Sequence, residues 1–67
     1  MMEHRERIGK RIAELRTSKG YTVRQLAELS GVNYTNIGKI ENGRYNVSID
    51  ILSKICNALG CRIDIVE

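Results

Sequence analysis

Thr22-Val23-Arg24-Gln25-Leu26-Ala27-Glu28-Leu29-Ser30-Gly31-Val32-Asn33-Tyr34-Thr35-Asn36-Ile37-Gly38-Lys39-Ile40-Glu41-Asn42 is the stretch on which the fold turns. Thr22 and Gln25 have the spacing of a capping box, in which each side chain satisfies the other residue's free backbone N–H. A helix of about eight residues is predicted from there to Ser30. Leu26, Ala27 and Leu29 are its expected buried positions. Gly31 makes a turn, and Asn33 caps a second helix that follows almost at once. A turn of three to four residues containing glycine sets two helices at a steep angle. Ala27 is small enough for the second helix to approach closely, so that Val32 and Ile37 pack against Leu26. Ile37 and Ile40 point inward. The opposite face carries Tyr34, Thr35, Gly38 and Lys39, with Asn36 to one side. That face is polar and holds no acid, whereas an ordinary solvated helix mixes both signs. A helix that enters the major groove of DNA has this character.

Outward from this pair, glycines punctuate the chain, which has no proline. Gly20, Gly31, Gly43 and Gly60 stand where helical periodicity fails. Upstream, Ile8, Ile12 and Leu15 recur at helical spacing, predicting a first helix from about Arg5 to Lys19. Downstream, Ser48 is the expected cap of a fourth helix. Asp50 lies in its first turn, and Leu52, Ile55, Cys56 and Leu59 form its apolar stripe. Beyond Gly60 the period changes: Cys61, Ile63 and Ile65 alternate with Arg62 and Asp64, a strand pattern. A lone strand has no partner for its backbone groups. Pairing with the same strand of a second copy is the simplest remedy, and a short last helix or a frayed end is the competing reading.

At 67 residues the chain has room for one small core. Two cysteines are too few for a disulfide scaffold, and Cys56 and Cys61 lack common zinc-site spacing. Residues 1–16 are charged, without the apolar run of a secretory signal, and no segment is long and apolar enough to span a membrane. A cytoplasmic location is therefore expected. Eleven Lys and Arg against eight Asp and Glu give a formal charge of +3, which fits a nucleic-acid partner without demanding one. No nucleophile–base constellation, metal spacing or phosphate loop is present, so an enzyme is not expected, nor is any cofactor or metal. His4 has no neighbour in sequence with which to act.

Several motifs stand in one order: Ile8-Gly9-x-x-Ile12-x-x-Leu15-Arg16, Lys19-Gly20-Tyr21-Thr22, Gln25-Leu26-Ala27-x-x-Ser30-Gly31-Val32, Ile37-x-x-Ile40-Glu41-Asn42-Gly43-Arg44, and Ser48 through Leu59-Gly60. Together they resemble the Cro/C1-type (XRE) helix-turn-helix family of bacterial and phage regulators. The resemblance covers about residues 8–60. It implies an all-α, compact four-helix lambda-repressor-like domain spanning 1–67. The core is expected at about 5–60. The tail departs from the short fifth helix common in the family, and its alternation predicts a short C-terminal β-strand at about 61–66 that pairs across a dimer through Cys61, Ile63 and Ile65.

The resemblance also implies roles. Tyr34, Thr35 and Lys39 match positions that reach base edges, and Asn36 matches one that meets bases or phosphate. Asn33, Asn42 and Arg44 match phosphate-holding positions. Arg16 matches an arginine that pairs with the glutamate at Glu41. Family members often carry glutamine, a phosphate contact, where this chain has Val23, so that contact is either absent or supplied by Arg24 beside it. Gly38 inside the second helix of the pair has two readings, close approach to a base pair or tolerated drift. The implied function is sequence-specific binding of double-stranded DNA by a dimeric repressor, on a pseudo-palindromic operator. The competing class is an antitoxin that grips a toxin partner and autoregulates its operon.

Overall fold

The computed structural model describes residues 3–67. Four helices follow one another: α1 (His4–Ser18), α2 (Val23–Ser30), α3 (Tyr34–Glu41) and α4 (Ile49–Leu59). α1 begins and ends one residue earlier than periodicity predicts. The next three start where their capping residues stand. Thr22 and Gln25 close the capping box, with Gln25 N–H donating to Thr22 Oγ1 at 3.1 Å and Thr22 N–H to Gln25 Oε1 at 2.8 Å. Asn33 Oδ1 accepts from Thr35 N–H at 2.8 Å, and Ser48 Oγ from Ile51 N–H at 3.1 Å. Each bond satisfies a backbone donor that the first turn of a helix leaves free.

The four glycines that interrupt the periodicity are, among the described residues, the four with positive φ. At Gly31, φ is +73°, and the chain leaves α2 in the left-handed conformation after a last backbone bond to Ala27 of 2.9 Å. A side chain there costs about 1–2 kcal/mol, so glycine lets only three residues separate α2 from α3.

Ile12, Leu26, Val32, Ile37, Ile40, Ile55 and Leu59 form one buried cluster. α3 packs against both α1 and α2, and α4 packs against α2. Leu26, Ile37 and Ile55 are fully enclosed, each contributing about 1.5–3 kcal/mol of burial free energy. Leu29, expected inside, is 56% exposed. On α2 the buried stripe runs through Val23, Leu26, Ala27 and Ser30. At 100° per residue, Leu29 falls on the far side of Leu26 from the centre of that stripe.

Gly9, matched in sequence without an assigned task, is buried where α1 crosses α3. A Cβ built on it would fall onto the carbonyl oxygen of Ile40, so the two backbones meet there without a side chain between them.

Residues 61–67 form no strand, and none occurs among the described residues. Within one chain an extended segment has no ladder to join, and the expected strand concerns a pair of chains. Cys61 is half-buried against the core, while Ile63, Ile65 and Val66 are exposed.

Candidate nucleic-acid interface

α3 buries Ile37 and Ile40 and turns Tyr34, Thr35 and Lys39 to the outside. Asn36 and Gly38 are half-buried at the edges of that face. Asn33 precedes it, exposed, with its side-chain oxygen engaged as the cap and its amide N–H groups free to donate. Asn42 and Arg44 follow it, both exposed. The Asn42 N–H closes α3 on Gly38 at 3.1 Å, and the Arg44 N–H bonds to Lys39 at 2.9 Å. The turn thereby holds Arg44 beside the last turn of the helix. Tyr34, Thr35 and Lys39 on α3, and Asn33, Asn42 and Arg44 at its two ends, are thus all exposed.

The mounting of α3 is stiff. Arg16 of α1 reaches Glu41 at its end through two parallel bonds, Nε to Oε2 at 2.8 Å and NH2 to Oε1 at 3.1 Å. Its remaining terminal nitrogen donates to the Tyr21 carbonyl at 2.8 Å. One guanidinium therefore ties α1, the loop before α2 and the end of α3 together. The pair is 15% and 10% exposed, so water competes little for it. The hydrogen bond to Glu41 raises Arg16 above the ordinary arginine value and outweighs the opposing effect of burial.

Arg24 behaves differently. Its guanidinium carbon stands 4.4 Å from the centroid of the Tyr34 ring, a cation–π contact joining α2 to α3. Val23 beside it is half-buried and packs on the core, which accounts for an apolar residue where a phosphate-binding one was expected. Sequence spacing does not disclose the Arg24–Tyr34 stack. The two residues are ten positions apart, and only the angle between the helices brings them together. Among the described residues no group of His, Cys, Asp and Glu is arranged to hold a metal.

Two short helices across a glycine turn, the second offering a polar, acid-free face, define a helix-turn-helix domain. Residues 12–66 match the helix-turn-helix family HTH_3, and the chain belongs to that family. It is 35% identical over 57 residues to the uncharacterized HTH-type transcriptional regulator YonR, derived from the SPbeta prophage of Bacillus subtilis, covering 85% of this chain and 53% of that protein. It is 32% identical over 59 residues to the immunity repressor protein of Bacillus phage phi105, covering 88% and 41%. Among solved structures it resembles the restriction-modification controller protein C.AhdI from Aeromonas hydrophila. The TM-score is 0.84 at 38% identity, over 87% of this chain and 88% of that one. The clp gene regulator ClgR from C. glutamicum gives a TM-score of 0.84 at 39% identity, over 88% and 76%. The chain spans about half the length of YonR, and less of the phage repressor.

Proposed function

We propose that this protein is a sequence-specific, double-stranded DNA-binding transcription regulator that acts as a homodimer and represses by occupying a pseudo-palindromic operator. The observation that carries the reading is the exposed face of α3: hydrogen-bonding side chains and Lys39, no acid, on a helix held by the core and by Arg16–Glu41. Tyr34, Thr35, Asn36 and Lys39 are the base-reading residues, and Asn33, Asn42 and Arg44 hold phosphates. Relatives named as regulators and repressors favour this function over the antitoxin reading. A DNA partner goes with a cytoplasmic location. No helix among the described residues is long and apolar enough to cross a membrane.

The dimer surface belongs to the C-terminal part of the chain. In the tail Ile63, Ile65 and Val66 are 42%, 96% and 87% exposed. Apolar side chains gathered in this way mark a surface that is covered in the working protein. Pairing of residues 61–66 across a twofold axis, with Cys61, Ile63 and Ile65 facing the partner, covers the tail and supplies its missing backbone bonds.

Selection of bound sites from a random duplex pool at fixed salt tests the reading. The expected product is two inverted half-sites about 34 Å apart centre to centre. Lys39→Ala relaxes the preference at one position of each half-site. Arg44→Ala weakens all sequences alike and lowers the salt slope by about one. Recovery of unenriched sequence from the pool overturns the proposal.

A further inference from the structure

Arg24 is a cation of this surface that stacks on a ring and makes no ion pair among the described residues. The ion pairs among the described residues are Arg5–Glu3, Arg11–Glu14, Arg16–Glu41 and Arg62–Asp64, and Arg24 is in none of them. Glu28 stands four residues further along α2, the spacing at which helical ion pairs form. Arg24 instead lies over the Tyr34 ring at 4.4 Å. It does so at the rim of an open depression of about 360 Å³ between α2 and the start of α3, floored by Ala27 and Val32. A ring beneath a guanidinium holds its plane without consuming an N–H. The fork of Arg16 is spent on Glu41 and Tyr21. The fork of Arg24 is steadied by the ring and makes no ion pair among the described residues.

A guanidinium fork fits a phosphate as well as a base edge, and the place of this fork, against the first residue of α3, is what favours the base. A flat fork in a fixed position matches the paired acceptors O6 and N7 on the major-groove edge of guanine. The ring that fixes it belongs to the first residue of α3, so the fork borders the proposed reading face. We infer that Arg24 and Tyr34 act as one unit, in which the Tyr34 ring positions the guanidinium and Arg24 selects a guanine in each half-site. This inference rests on the proposed DNA-binding function. It gives Arg24 a base in place of the phosphate that the sequence suggests, and gives Tyr34 a positioning task besides its own contact.

The experiment is site selection at fixed salt with the wild-type protein and with Arg24→Lys, Tyr34→Ala and Tyr34→Phe, each checked for folding by thermal melting. Both side chains are exposed, so the variants should fold. The wild type is expected to enrich guanine at one position per half-site, and replacing that base weakens binding about tenfold or more. Arg24→Lys keeps the charge and the salt slope but weakens the guanine preference, because an ammonium lacks the flat fork. Tyr34→Ala loses the same guanine, although Arg24 is intact. Tyr34→Phe keeps the ring and therefore the preference at that guanine, and loses only what the Tyr34 hydroxyl contacts elsewhere in the half-site. A wild type that enriches a site while Arg24→Lys or Tyr34→Ala leaves its guanine preference intact overturns the unit alone. A wild type that enriches no site overturns the DNA-binding reading and the unit with it.

Discussion

Two arginines at the residue scale show how surroundings assign a task to one side-chain type. Arg16 has carboxylate and carbonyl acceptors on every side and is nearly enclosed, so it holds the fold together. Removing either partner of a buried pair leaves the other charge uncompensated. Arg16→Ala or Glu41→Ala should therefore lower stability by about 3 kcal/mol in urea unfolding. Arg16→Lys should recover only part, because an ammonium cannot make two parallel bonds. A double replacement by Met and Leu should lie closer to the wild type than either single alanine. Cys56 offers a second prediction. Burial in the core, then the hydrogen bond and charge of Cys61, push its thiol up from 9.0 to about 11. The folded chain thus keeps a proton that the unfolded chain releases. This contribution is complete below pH 9 and is lost as pH rises toward 11. Replacing Cys56 with alanine should flatten stability across that window relative to the wild type. At pH 8, iodoacetamide should label the half-buried Cys61 well before Cys56.

At the scale of elements, two glycines in helices make opposite predictions. Gly9→Ala improves helix propensity by about 1 kcal/mol, yet its methyl group meets the Ile40 carbonyl. The helices must part, and overpacking of this kind costs about 1–3 kcal/mol. Gly9→Ala should therefore lower the melting temperature. At Gly38 an added Cβ has nothing within 4 Å. Gly38→Ala should stabilise by up to about 1 kcal/mol and raise the melting temperature. Since packing within the chain does not call for glycine there, a fall in DNA affinity in this more stable variant would show that the groove does. Helix starts at Thr22, Asn33 and Ser48 were legible because a cap is a local bond between residues two or three apart. The exposure of Leu29 was not, because which side of α2 faces inward depends on where α3 and α4 lie.

At the scale of the whole molecule, the proposed dimer is the point of greatest consequence. One α3 presents a short reading face, and affinity and specificity grow when a twofold axis sets two copies one helical turn apart. Deleting residues 62–67 should convert dimers to monomers in sedimentation and should leave the helical core folded, since that core contains none of the deleted side chains. Operator affinity should then fall steeply, and a dimer that survives the deletion removes the tail from the interface. Binding by the intact protein should weaken linearly in log–log form as salt rises, through release of counterions from the phosphates it meets.

The sequence by itself determined the number of helices, their caps and stops, the glycine turn and the polar face of α3. All of these rest on interactions between residues close along the chain, where spacing alone decides who can meet. Its motifs also carried the pairing of Arg16 with Glu41, though only by resemblance to a family. Tertiary structure decided the rest: that Gly9 is where two backbones touch, that Leu29 is left outside, that Cys56 lies beside Cys61 under the core, and that Arg24 lies on Tyr34. Each of these depends on the angle and distance between helices, set by the collective packing of Leu26, Ile37, Ile55 and their neighbours and written at no single position.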